Sequence, residues 1–268
     1  MRFVPESIRW YHSKGRIDDA LSVLRNVSKW NKRTFLEKKT LEPFYKNNKI
    51  EEGTYLDLFT KKHCLKTLIL FFTWFTGDCV YYGISLAFSD LSGHRHRDFV
   101  LISLPEIFAN LLAIYAVGRI GRKKTTIIGF AVTAIGLMTL GTLMYNDVHY
   151  QSLNIVVGMI GKCFGIIAYC SNQILSVESY PTNIRSQAMG LFYVFSQLGG
   201  ALAPWIAKGL LRYHVTLPLF VLGVFPIIAS ILALSLKETK GKDIDQQEAD
   251  EGITKNNEQS LNKNETHC

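Results

Sequence analysis

The chain has 268 residues, of which 48% are hydrophobic, 12% aromatic and only 19% charged, a charged share below the roughly 25% usual for soluble domains. Its net charge of +8 and isoelectric point near 9.2 lie on no basic stripe interleaved with aromatics, which argues against a nucleic-acid binder and makes an anionic leaflet the partner for that charge. The mean hydropathy of +0.11 averages two polar ends with a strongly apolar middle.

Residues 1–66 carry fifteen Lys/Arg and eight acids and read as a cytoplasmic, loop-like segment with amphipathic helices. Within RIDDALSVLRNVSKW, Ile17, Leu21, Leu24 and Val27 recur at helical spacing, with acids at the helix start. Met1 is followed by the polar run RFVPESIRWYHSKGR, so no signal peptide is expected. The next 170 residues hold only ten Lys/Arg and six acids. A bilayer core of about 30 Å takes about 20 apolar residues as helix, and six stretches qualify: 67–88, 99–118, 125–144, 153–177, 188–211 and 216–236. Backbone groups in lipid must be satisfied within the segment, which predicts helices, and the period-2 alternation of barrel strands is absent. The expected fold is therefore an all-α membrane protein with a six-helix bundle over 67–236.

Orientation follows from Lys/Arg at the span ends. Lys61, Lys62, Lys66, Arg119, Arg122, Lys123, Lys124, Arg185, Lys237, Lys240 and Lys242 fall on one side; Arg95, Arg97, Lys208 and Arg212 fall on the other. Eleven against four predicts both termini in the cytoplasm. Residues 237–268, with five basic and eight acidic side chains, read as a disordered cytoplasmic tail. Asn26 and Asn264 sit in N-x-S/T sequons that this topology leaves unglycosylated.

Ionisable residues inside spans are costly and point to function. In TLILFFTWFTGDCVYYGISLAF, Trp74 lies four residues before Asp78, and Tyr81 and Tyr82 three and four after, on one helix face. A carboxylate among aromatic rings suits an organic cation; the competing reading has Asp78 bonding a neighbouring helix. In SLPEIFAN, Pro105 would free a carbonyl one turn earlier, and Glu106 and Asn110 form either a cavity-facing strip or a hydrogen-bonded kink, with the structural role favoured. Lys162, Tyr169, Gln173 and Ser176 make one polar stripe in the fourth span, where Gly161 and Gly165 at GxxxG spacing point to close packing. Tyr193 and Gln197 stand one turn apart in the fifth span. The cysteines Cys64, Cys79, Cys163, Cys170 and Cys268 form no CxxC pair, and His94 and His96 lack further ligands, so no metal site is expected. No HExxH, GxSxG or GxxxxGK[ST] pattern appears; the reading is not an enzyme, and no cofactor is expected.

GRIGRKKT (118–125), ESYPTNIRSQAMG (178–190), VPESIRWYHSKGR and KETKGK become recognisable together. The first resembles the short basic loop that major facilitator superfamily transporters carry between paired helices. The others resemble the E-L-Y-P-T-x-x-R-x-x-x-x-G signature, the V-P-E-S-P-R-W-L-x-x-K-G-R segment and the terminal P-E-T-K-G of that superfamily's organic cation/anion/carnitine branch. With WFTGDCVYYGIS in the first span, the resemblance covers nearly the whole chain except the tail. It implies a twelve-span transporter of which this chain is the C-terminal half, a midplane substrate site between two halves, and an N-terminal six-helix half as partner.

The resemblance also implies roles. Trp74 and Tyr81 match aromatic positions of the substrate cavity, and Gln197 stands where cation transporters tend to carry Asp and anion transporters Arg. Glu178 and Arg185 would meet Arg119 and Arg122 across the cytoplasmic face as gate ion pairs, although helix capping and positive-inside anchoring would also use these residues. Ile8 replaces the usual Pro, and Gly118 the usual Asp of the basic loop. The resulting expectation is gradient-driven or exchange transport of small organic ions across the plasma membrane. Trp74, Asp78, Tyr81 and Gln197 are the first substrate-facing candidates, and Glu106, Lys162 and Gln173 the second. Asp78 tips the reading to cations; a lysine beside it, for which Lys162 is the candidate, would weaken that. The rivals are an organic-anion or zwitterion transporter using Lys162, and a six-span protein that transports nothing alone.

Overall fold

In a computed structural model of the chain, residues 6–13, 15–32, 54–60, 63–89, 100, 103–146 and 151–241 are described. They fall into two compact units, one within Met1–Thr54 together with Thr182–Ile184, the other within Tyr55–Pro181 and Arg185–Cys268. His94 and His96, the sequon at Asn264 and most of the expected tail lie outside the described residues.

The first unit holds helices α1 (Ile8–Ser13) and α2 (Ile17–Trp30). Gly15, with φ of 68°, turns the chain between them, a left-handed conformation that a side chain would strain. Asp18 and Asp19 occupy the first turn of α2 and Lys29 its last, in accord with the helix dipole. Ala20 and Leu21 are buried, while Val27, expected on the same apolar face, is exposed.

Among its described residues the second unit opens with a 3-10 turn at Tyr55–Phe59 and continues with six helices: α3 (Cys64–Ser89), α4 (Pro105–Ile120), α5 (Arg122–Tyr145), α6 (Gln151–Glu178), α7 (Thr182–Leu211, whose first three residues group with the first unit) and α8 (Leu217–Ala233). These correspond in order to the six expected spans. Stretches Cys64–Ala87, Arg122–Tyr145, Leu153–Glu178 and Ile184–Leu211 are long and apolar enough to cross a membrane; α8 is apolar but has 17 residues. Pro105 is the first residue of α4, where its missing N–H costs nothing, so it starts that helix rather than kinking it.

Lipid tails are as apolar as leucine, so helices in a bilayer associate through close backbone approach and polar ties rather than hydrophobic force. Helices α5 and α6 meet along small residues. A Cβ added at Gly136 would lie 3.2 Å from the Gly161 Cα, and one at Gly129 would lie 2.9 Å from the Phe164 carbonyl oxygen. Thr133 Oγ1 donates across this seam to the Gly161 carbonyl at 3.1 Å, and Gly165 faces Thr133. The packing role read from the GxxxG spacing is therefore realised. Helix α3 is tied to α6 by Thr73 Oγ1 donating to Asn172 Oδ1 at 3.0 Å and by the Trp74 indole N–H donating to Ser176 Oγ at 2.8 Å. Cys79, Val80 and Ile84 of α3, Leu137 and Leu140 of α5, and Leu219 and Leu222 of α8 form an apolar core. Helix α4 buries Ala109, Ala113 and Ala116 and exposes Ile107, Phe108, Leu111 and Ile114, an outward apolar face suited to lipid.

The segment after α8 returns to cap α5. Gly121, with φ of 106°, brings the chain close to Glu238, whose Oε1 accepts from the N–H groups of Arg122 (3.0 Å), Lys123 (3.4 Å), Thr239 (3.2 Å) and Lys240 (3.3 Å). Burial works against ionisation of Glu238, but these backbone donors outweigh it and hold its pKa below the ordinary carboxylate value.

Two stability measurements follow from these contacts. A Cβ at Gly199 of α7 collides with the Phe75 backbone carbonyl of α3, whereas one at Gly118 meets nothing within 4 Å. Gly199→Ala therefore destabilises the bundle by about 2 kcal/mol, while Gly118→Ala is neutral or slightly stabilising, read as thermal unfolding in detergent. Because the folded pKa of Glu238 is depressed, its stabilisation is present above the ordinary carboxylate pKa and is lost as pH falls through the lower folded value. Glu238→Gln removes this pH-dependent part, costing about 1 kcal/mol at neutral pH and little once wild-type Glu238 is protonated.

Candidate functional site

Five helices enclose a cavity of about 380 Å³. Its lining includes Asp78, Tyr81 and Tyr82 from α3, Glu106 and Asn110 from α4, Lys162, Tyr169 and Gln173 from α6, and Gln197 from α7. Phe130 and Thr133 of α5 complete it. Six of the seven candidate substrate-facing residues thus share one cavity. The seventh, Trp74, is fully buried outside the lining. Its ring packs edge-on to Tyr169 at 5.6 Å and Tyr193 at 4.9 Å and stacks on Phe192 at 5.9 Å. An indole N–H needs an acceptor when buried, and Ser176 supplies it, which draws the ring away from open space.

The cavity carries three charged side chains. Lys162 Nζ lies 2.5 Å from Glu106 Oε1 and 4.9 Å from the Tyr81 ring centroid, while the Tyr81 hydroxyl donates to Glu106 Oε2 at 3.1 Å. The lysine expected as a candidate neighbour of Asp78 is therefore paired with Glu106. Asp78 Oδ2 instead accepts from Ser196 Oγ of α7 at 2.6 Å, and Ser196 in turn meets the Tyr169 hydroxyl at 3.2 Å. Among the described residues no cationic side chain comes within ion-pairing distance of Asp78. It both ties α3 to α7 and faces the cavity, so the two readings of this residue coexist. Glu106 is in the first turn of α4, where the helix dipole favours negative charge. Asn110 donates to the Glu106 carbonyl at 2.8 Å and accepts from Cys170 Sγ at 3.4 Å, a structural role on the cavity wall.

Ser196, Tyr169 and Tyr82 belong to the arrangement although sequence reasoning did not single them out as site residues. Tyr169 lay in the polar stripe and Tyr82 one turn from Asp78, so both left a periodicity signal. Ser196 left none, because a serine beside small residues reads as packing.

A second polar cluster joins helix ends. Arg122 Nη2 and Nε donate to Glu178 Oε1 at 2.9 and 3.2 Å, and Thr239 Oγ1 donates to Glu178 Oε2 at 2.5 Å. Of the four gate candidates, Arg122 and Glu178 come together. The Arg119 guanidinium lies over the Tyr115 ring at 5.8 Å, and its carbonyl accepts from Lys240 Nζ at 2.6 Å. Arg185 donates from Nε and Nη2 to the Tyr180 carbonyl at 3.1 and 2.9 Å. The tail residues Glu238 and Thr239 enter this cluster; the KETKGK motif carries them, but nothing local in it says that the chain returns to α5.

Comparisons with known proteins bear on the family and the fold. The family described as "Sugar (and other) transporter" matches residues 1–264. The chain is 32% identical over 250 residues to human solute carrier family 22 member 13, and 30% identical over 251 residues to the organic cation transporter protein of Drosophila melanogaster, covering 89% of this chain in both cases. It spans less than half the length of these curated relatives, 43% and 45% respectively. A solved structure of the major facilitator superfamily proton:xylose symporter XylE, bound to 6-bromo-6-deoxy-D-glucose, aligns with a TM-score of 0.62 at 22% identity. That alignment covers 92% of this chain and 54% of the symporter, and it shows the shared fold. With its helices in the expected order and a family match along nearly its whole length, the chain belongs to the sugar (and other) transporter family and has the major facilitator fold.

Proposed function

We propose that the chain is the C-terminal half of a plasma-membrane transporter that moves small organic ions, cations in preference, driven by gradients or exchange, with both termini in the cytoplasm. The observation that carries the preference is Asp78, a buried carboxylate on the cavity wall, hydrogen-bonded by Ser196 and without a cationic partner among the described residues. A charge in a membrane interior calls for a counter-charge, and a substrate ammonium supplies it. The exposed Tyr82 ring one turn away offers a π face to the same cation. Gln173 and Gln197 give neutral hydrogen-bonding partners at the cavity wall, and Trp74 acts at one remove by holding Tyr169. A relative named organic cation transporter protein supports transport of organic ions as the class.

Alternating access needs two halves that rock about the site, so an N-terminal six-helix half is the required partner. The Arg122–Glu178 pair, locked by Thr239, suits a gate that holds the helix ends together and releases them as the halves separate. Arg119 and Arg185, near the same helix ends, are the further gate candidates.

Uptake measurements test both parts. Joined behind the N-terminal half of the Drosophila melanogaster organic cation transporter protein, the chain should take up tetraethylammonium. Asp78→Asn should then lower that uptake about ten-fold or more, the loss of one good interaction. Unchanged cation uptake in Asp78→Asn, together with loss of p-aminohippurate uptake in Lys162→Ala, would establish the anion reading instead. For the gate, Arg122→Glu and Glu178→Arg should each reduce uptake roughly five-fold, as for a half-buried pair contributing about 1 kcal/mol, and the double exchange should restore most of it.

A further inference from the structure

The charged side chains of the cavity wall are Asp78, Glu106 and Lys162, and they are not equally available to a ligand. Lys162 is 2% exposed, closed in by the Glu106 carboxylate from α4 and the Tyr81 ring from α3. Glu106 is 23% exposed and is held in place by the Tyr81 hydroxyl on its other oxygen. Among the described residues, Asp78 has only the neutral Ser196 hydroxyl as a hydrogen-bond partner. The ammonium is thus neutralised within the wall, and the charge left over is negative.

We propose that Glu106 is a specificity-determining residue that acts by masking Lys162. Resting on the reading of this cavity as an organic-ion site, the assignment names what excludes anions from it. An organic carboxylate or sulfonate would have to displace Glu106 from a preformed, largely buried ion pair before reaching Lys162, and would meet the Asp78 carboxylate as it did so. An organic cation meets no such barrier. Tyr81 then has a different part from the one its position first suggested. Lys162 stands over its ring and its hydroxyl serves Glu106, so it completes the mask, whereas Tyr82 remains open to a ligand. Discrimination by an element that penalises the wrong partner is as effective as added affinity for the right one.

Removing the mask inverts the balance. With Glu106→Gln the wall keeps its shape and one hydrogen-bonding oxygen, while its formal charge moves from −1, for two carboxylates and one ammonium, to zero. Lys162 is left as a buried cation seeking an anion.

The test is equilibrium binding to the full chain purified into phosphatidylcholine nanodiscs, using radiolabelled p-aminohippurate as the anion and tetraethylammonium as the cation. Wild type, Glu106→Gln and Glu106→Gln with Lys162→Met are compared, and helical content is followed by circular dichroism. The expected result is a gain of about ten-fold or more in p-aminohippurate affinity in Glu106→Gln, abolished in the double variant. An unchanged anion affinity in folded Glu106→Gln, or a gain that survives loss of Lys162, overturns the proposal. If Glu106→Gln loses helical content, Glu106→Asp takes its place. The shorter side chain loosens the pair, so a smaller gain, again abolished with Lys162→Met, supports masking, and no gain overturns it. Failure of wild type to bind tetraethylammonium would count against the cation reading alone, because the anion arm decides masking separately.

Discussion

Everything in the bundle depends on how helices hold together where water supplies no driving force. The seam between α5 and α6 meets this constraint with Gly129, Gly136, Gly161 and Gly165, which let two backbones approach closely enough for Thr133 to donate across to a main-chain carbonyl. The approach sets the position of Lys162, one residue beyond Gly161, and thereby where the ammonium can find a partner. Gly199 does the same for α7 against α3, which sets Ser196 within reach of Asp78. Packing of small residues and placement of charge are one problem here, because a helix shifted by half a turn would strand a charge in lipid.

The polar groups divide into those that close on the protein and those left open. Trp74 with Ser176, Thr73 with Asn172, and Lys162 with Glu106 pair across helices within the bundle. Arg122 with Glu178 and Glu238 with four backbone N–H groups do so at helix ends. Asp78 stands out against that background, since a single neutral hydroxyl is modest compensation for a carboxylate that is 8% exposed. The asymmetry between the paired and the unpaired carboxylate gives the cavity its sign.

Much of the architecture was legible in the sequence because the cost of charge and of unsatisfied backbone in lipid is large and local. The six apolar runs became six helices. Their ends moved for physical reasons: α7 begins at Thr182 rather than 188, since polar residues can continue a helix beyond the apolar run, and α4 is helical from Pro105. The cavity residues were legible for the same reason, as Asp78, Glu106, Lys162, Gln173 and Gln197 are polar groups that spans rarely carry without use. Their pairing was not legible. Whether Lys162 meets Asp78 or Glu106 depends on the rotation of α6 against α3 and α4, which spacing along one helix does not encode. Trp74 shows the converse, since its spacing put it on the Asp78 face while its indole N–H took Ser176 instead.

The cap on α5 also orders events in time. Glu238 lies 116 residues beyond Arg122, the residue whose N–H it accepts, and Thr239 lies 61 beyond Glu178. A ribosome making this chain emits α5 with its first N–H groups lacking that carboxylate, and they stay so until α6, α7 and α8 have been synthesised. The turn between α4 and α5 is therefore finished last although its own residues appear early, and a nascent chain halted anywhere before Glu238 carries an unfinished junction at the point where α5 begins.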